Sequence, residues 1–101
     1  MTYVKEKLVD ALDATLKELY NTYTDWDMNN YSVQLCKTKL TFMKDYPEFN
    51  MDTNEENLID IMEDNERSAE NCSKLVSMLE PIAQYLKNAL KEAEQYEEFL
   101  K

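Results

Sequence analysis

Carboxylates are the residues of this chain whose number and spacing could do chemistry. Ten of them fall between Asp45 and Glu70 against one base, Arg67, so this stretch carries a net charge of −9. Glu55, Glu56, Asp60, Glu63, Asp64, Glu66 and Glu70 form its dense part. Three uses are open to such a run: acid–base catalysis, cation binding, and attraction of a basic partner.

Catalysis by a pair of carboxylates needs burial or a close neighbour to separate their pKa values. On a helical pattern these acids fall on the polar side, where neither is supplied. The chain has no histidine, so the commonest general base is missing and no serine or cysteine has its usual activator. An enzyme is not expected.

For calcium, Asp52, Asn54, Glu56, Asp60 and Glu63 match the ligand places of an EF-hand loop, with Ile59 at its apolar place. The match fails in its details. Asn57 stands where the sharp turn needs glycine, Glu56 is bulky for its place, and Pro47 interrupts the entering helix. Cys36 and Cys72 are too few for a zinc site, and they read as reduced, buried thiols. Without any glycine, a phosphate-cradling loop is excluded as well. No metal and no cofactor are expected.

Electrostatic attraction remains. At about 100° per residue, Glu56, Asp60, Glu63 and Glu70 share one side of a helix, opposite Leu58, Met62, Ala69 and Cys72. Seven acids spread over roughly 24 Å is about one charge per 3.4 Å, the spacing of phosphates along one strand of duplex DNA. Such a face could occupy a basic, nucleic-acid-binding protein. The competing reading is a solvated face that only keeps the protein in solution.

The elements that must position this face read as helices throughout. The hydrophobic fraction of 44% argues for a folded chain, and its 101 residues for one domain. Val4, Leu8, Leu12, Leu16, Leu19 and Tyr23 form a stripe on a first helix, about residues 2–23. Thr24 and Asp27 resemble a capping box, and Asn29-Asn30 a turn, so a break is expected within 22–30. There Tyr20, Tyr23, Trp26 and Tyr31 would cap the end of a bundle. A second helix, about 25–46, has its seam at Val33, Cys36, Leu40 and Met43. A strand is its rival, since Tyr31, Val33 and Leu35 alternate with polar residues.

Tyr46–Asp52 is the clearest loop, because Pro47 disfavours helix in the residue before it. Asp52 or Thr53 then caps a third helix. From there, Leu58, Met62, Asn65, Ala69, Cys72, Val76, Leu79, Ala83, Leu86, Leu90 and Ala93 run in steps of four and three, a heptad seam carried through Pro81. Asn65 in that seam is either a boundary polar residue or a buried amide that fixes register. The expected fold is all-α: an extended three-helix bundle with a long, Pro-kinked C-terminal helix, or a four-helix bundle (53–80 and 81–100) if the chain folds back at Pro81. At the C-terminus, Glu92, Glu94, Glu97 and Glu98 alternate with Tyr96, Phe99 and Leu100, an amphipathic end that could pair with another chain.

No stretch approaches the ~20 apolar residues of a membrane span, and Met1–Lys7 lacks an apolar signal core. A cytoplasmic protein is expected, in the host cytoplasm if the chain is viral. The net charge is −10, which disfavours direct contact with nucleic acid or anionic membranes and favours a basic protein partner. The Trp-x-Gly turn of small helical-hairpin secretion substrates is absent, the chain reading Trp26-Asp27-Met28. In acidic helical composition alone, it is similar to phage anti-restriction DNA mimics. The functional expectation is a non-catalytic inhibitor or regulator, a DNA mimic of anti-CRISPR or anti-restriction type. The alternative is a structural, assembly or chaperone-like protein that oligomerises through its apolar seam, a homodimer being the commonest solution.

Overall fold

The computed structural model describes residues 2–49 and 54–100. It contains two α-helices, α1 (Thr2–Asp45) and α2 (Glu55–Leu100), and no strand among the described residues. The all-α class therefore holds, whereas the three- and four-helix bundles do not. The break expected within 22–30 is absent, and the two N-terminal helices are one. Neither proline nor glycine stands anywhere in α1, so nothing forces the backbone out of helical geometry. The Thr24–Asp27 pair lies inside the helix and caps nothing. The strand alternative at Tyr31–Leu35 is likewise helix.

Pro81 stays inside α2. Its ring removes one backbone donor, which would have bonded the carbonyl of residue 77. Both residues are on the exposed side of the helix, away from the packed seam. The chain does not fold back there.

α1 ends where Pro47 makes helix unfavourable for Tyr46. The Tyr46 amide still donates to the Phe42 carbonyl at 2.8 Å, and the Phe49 amide closes a turn onto the Tyr46 carbonyl at 3.0 Å. Phe42 packs edge-on to Phe49, 5.2 Å between ring centres, and against Tyr46 at 4.9 Å. The expected caps Asp52 and Thr53 lie outside the described residues. The cap that is seen is Asn54, whose side-chain oxygen accepts the Asn57 amide at 2.8 Å. It satisfies one of the free donors of the first turn. Glu55 and Glu56 follow in that turn, where the helix dipole favours anions.

The chain forms two compact units. Unit 1 joins α1 up to Thr22 with α2 from Lys74 onward, and unit 2 is Tyr23–Ser73. In unit 1 the two helices run antiparallel: Lys5 Nζ meets Glu97 Oε2 at 3.4 Å, while Leu16 and Leu19 border a groove with Pro81, Ala83 and Gln84. Unit 2 is also antiparallel: Asn29 reaches Cys72, and Leu40 and Met43 border a groove with Glu55 and Ile59.

The heptad seam of α2 is inward as expected, every member from Leu58 to Ala93 being buried or half-buried. The seam of α1 is not the expected one at its N-terminal end. It passes through Leu8, Leu12, Thr15, Leu19, Thr22, Trp26, Asn29, Val33, Cys36, Leu40 and Met43, while Val4, Leu16 and Tyr23 are exposed. Packing against one helix imposes a period of 3.5, and a leucine out of that register faces water. The threonines can take seam places because each hydroxyl donates to the carbonyl four residues back, Thr15 to Ala11 and Thr22 to Glu18, both at 2.8 Å. With its hydroxyl satisfied, a threonine presents a methyl to the partner helix.

The core is thin. Its buried apolar residues are Leu19 and Val33, Cys36 and Leu58, Val76, and three alanines, Ala69, Ala83 and Ala93. The larger ones stabilise by about 1.5–3 kcal/mol each. Small side chains in the seam let the two helices approach closely but bury little area.

Candidate partner-binding face

The acidic face lies on the N-terminal half of α2, in unit 2. An unbroken helix converts sequence spacing directly into position, so the cap at Asn54 and the absence of any break through residue 70 are what set the face. Glu55, Glu56, Asp60, Glu63, Asp64, Glu66 and Glu70 are all exposed. Opposite them, Leu58 is only 2% exposed and Ala69 is buried. The core contact thus orients the acids outward.

The structure brings the seven together unevenly. Glu56, Asp60, Glu63 and Glu70 lie within an arc of about 80° and over roughly 21 Å of helix. Asp64 falls beyond one edge of that arc, and Glu55 and Glu66 beyond the other. Arg67 falls within the arc itself, so the face is not purely anionic. Its Nη1 donates to Asp64 Oδ1 at 3.4 Å, an exposed pair of little energetic weight. This interruption was present in the sequence as Arg67, but its place on the wheel identifies it as part of the surface and not a bystander.

The calcium reading does not survive this geometry. Asn54 is a helix cap and Glu56, Asp60 and Glu63 are helical. Their oxygens are spread along an axis, whereas an EF-hand loop wraps its ligands around a point. Asp52 lies outside the described residues.

Further residues can be set against their expected roles. Asn65 is half-buried, yet its amide donates to its own helix, to the Ile61 carbonyl at 2.8 Å. It is the boundary polar residue and not a cross-helix register pin. A polar link across the seam is made instead by Asn29, whose Nδ2 is 4.0 Å from Cys72 Sγ. Nothing in residue type alone distinguished Asn29 from a turn residue; its place in the 3.5-residue period would have. The aromatic group at 20–31 is not the cap of a bundle end. Trp26 and Tyr23 stack at 6.4 Å in mid-helix, with Trp26 half-buried and Tyr20 and Tyr31 exposed. Cys36 and Cys72 are free thiols, the first buried and the second half-buried.

Charge separates the two units. Unit 2 holds twelve acidic residues against four basic, net −8, and unit 1 nine against seven, net −2. Comparison with protein-family models, with curated proteins and with solved structures finds no match to this chain.

Proposed function

We propose that the chain is a non-catalytic regulator or inhibitor that binds a basic, nucleic-acid-handling protein through the acidic face of α2. One observation carries this reading: seven exposed carboxylates on one unbroken helix, in a unit of net charge −8. A regular row of fixed negative charge competes for a basic groove by the same electrostatics as a phosphate backbone. Glu56, Asp60, Glu63 and Glu70 would make the central contacts, with Asp64, Glu66 and Glu55 at the margins. A phage anti-defence protein is the biological setting that fits such mimicry.

The test is capture from bacterial lysate on the immobilised chain, with elution by rising salt and by duplex DNA. A nucleic-acid-binding protein released by moderate salt and displaced by DNA is the expected result. The Glu56→Lys/Asp60→Lys/Glu63→Lys variant should keep its helical circular dichroism and lose that protein. Undiminished capture by the variant would sink the mimic reading.

A second reading, an assembly or chaperone-like protein, is favoured by the apolar surface. Seventeen large hydrophobic side chains are exposed among the described residues. The heptad seam of α2 is not available for this purpose, because α1 already covers it in both units. Any assembly surface must lie elsewhere.

A further inference from the structure

The C-terminal half of α2 carries a second apolar seam. Met78, Ile82, Tyr85, Ala89, Tyr96 and Phe99 follow one another in the same steps of three and four, with Glu92 filling the one polar place. Met78, Ile82, Tyr85, Ala89 and Glu92 each stand one residue before a member of the packed register, so this seam lies about 100° around the helix from the first. It is not covered: Ala89 is half-buried and the other five are exposed. A helix with two heptad seams is built to meet two helices, and within unit 1 α1 takes only one of them.

We infer that a second copy of this chain covers this seam, the two stripes pairing antiparallel about a two-fold axis near residue 87. The inference rests on the assembly reading above and gives it a surface and an occupant. Charge selects the occupant. Two copies each carrying −10 repel, but docking through unit 1 sets only −2 against −2 across the contact. One edge of the stripe is formed by Pro81, Asn88 and Gln95, all exposed and uncharged, so the acid a copy meets on this face is Glu92 within the stripe. A basic partner, by contrast, would find its counter-charges on unit 2.

Shape agrees. With the axis near residue 87, Tyr85 of one copy falls opposite Ala89 of the other, large against small, and Met78 falls opposite Tyr96. Glu92 falls opposite Ile82, so its carboxylate must stay at the wet margin of the contact, which costs stability and limits the interface to a modest one. Area agrees as well. Tyr85, Tyr96 and Phe99 are 71%, 50% and 85% exposed. At roughly 200 Å² per aromatic side chain they offer about 400 Å² per copy, about 800 Å² for the pair. Exposed Met78 and Ile82 carry the total towards the roughly 1,200 Å² at which specific interfaces begin.

The experiment is sedimentation equilibrium of the full chain from about 1 to about 100 µM, the range in which a modest interface of this size dissociates. The wild-type chain should be a dimer that dissociates on dilution. Tyr85→Glu/Phe99→Glu should raise the dissociation constant at least about 30-fold, as loss of a buried aromatic anchor does, with unchanged helical circular dichroism because both sites are exposed. The Glu56→Lys/Asp60→Lys/Glu63→Lys variant should dimerise as the wild type does. A wild-type chain that stays monomeric throughout overturns both this inference and the assembly reading. A dimer that persists in Tyr85→Glu/Phe99→Glu overturns the seam alone and leaves assembly through another surface.

Discussion

The two halves of α2 are one helix with two different surfaces. From Glu55 to Ser73 it exposes seven acids and one large hydrophobic residue, Ile61. From Lys74 to Leu100 it exposes six large hydrophobic residues, Met78, Ile82, Tyr85, Tyr96, Phe99 and Leu100. In each half a packed seam lies beneath that surface. A heptad repeat commits only its seam positions, two places in seven, to the partner helix. The remaining positions can change character along the helix without disturbing the packing. That is how one simple scaffold can present a charged face in unit 2 and an apolar one in unit 1. The difference also suggests a division of labour, with a basic partner drawn to one unit and a second copy to the other.

The largest expected effect separates the cores of the units. Leu58 is the most buried residue of unit 2, and Leu58→Ala should cost about 2–4 kcal/mol in urea unfolding. Hydrogen exchange should accelerate more at amides of Tyr23–Ser73 than at those of unit 1. Equal acceleration in both would mean that the units do not differ in local stability and that the division is one of surface only.

A smaller effect tests what aligns the helices in unit 1. Lys5 and Glu97 form a partly buried ion pair across the seam. Lys5→Glu places two anions there and should cost roughly 1 kcal/mol. The Lys5→Glu/Glu97→Lys double variant should recover most of it, measured by thermal melting. A double variant no more stable than the single one would show that the charges do not interact.

The smallest effect concerns self-repulsion in unit 2. Glu66 and Glu70 are four residues apart on one helix, a spacing at which like charges destabilise. Glu66→Lys should stabilise by about 0.5 kcal/mol at low ionic strength, and the gain should shrink in high salt. A gain that is independent of salt would point to helix propensity instead of charge.

Much of this was legible in the residues. The seam of α2 was readable from Leu58 to Ala93 as an apolar run at steps of four and three, and in the half before Met78 it had no apolar rival at the same spacing. The loop at Pro47 was readable too, since proline acts on its own neighbours through sterics. The seam of α1 was misread where threonine competes with leucine. Thr15 and Thr22 hold seam places that Leu16 and Tyr23 seemed better fitted to take by residue type. The break expected near Asn29 rested on local turn chemistry, which an uninterrupted helix with a partner to pack against overrides. The acidic face was visible in the sequence, and so was Arg67, whose place within the arc follows from the same helical wheel once the residue is included. The second seam at Met78–Phe99 stood in the sequence at the same spacing as the first, and periodicity alone did not say which of the two would be covered.

By itself, the sequence determined the helical class, the place where α1 stops, the inward side of α2 in its N-terminal half and the concentration of negative charge in one stretch. These follow from properties carried by each residue and its near neighbours: backbone sterics, side-chain polarity and a fixed rise and rotation per residue. Only the tertiary structure decided that there are two helices and not three or four, which residues of α1 face inward, and which of two apolar seams is left open. Those outcomes depend on a partner helix distant in sequence. Its contact selects one 3.5-residue register among several that local pattern permits, and every side chain outside that register is turned to the surface.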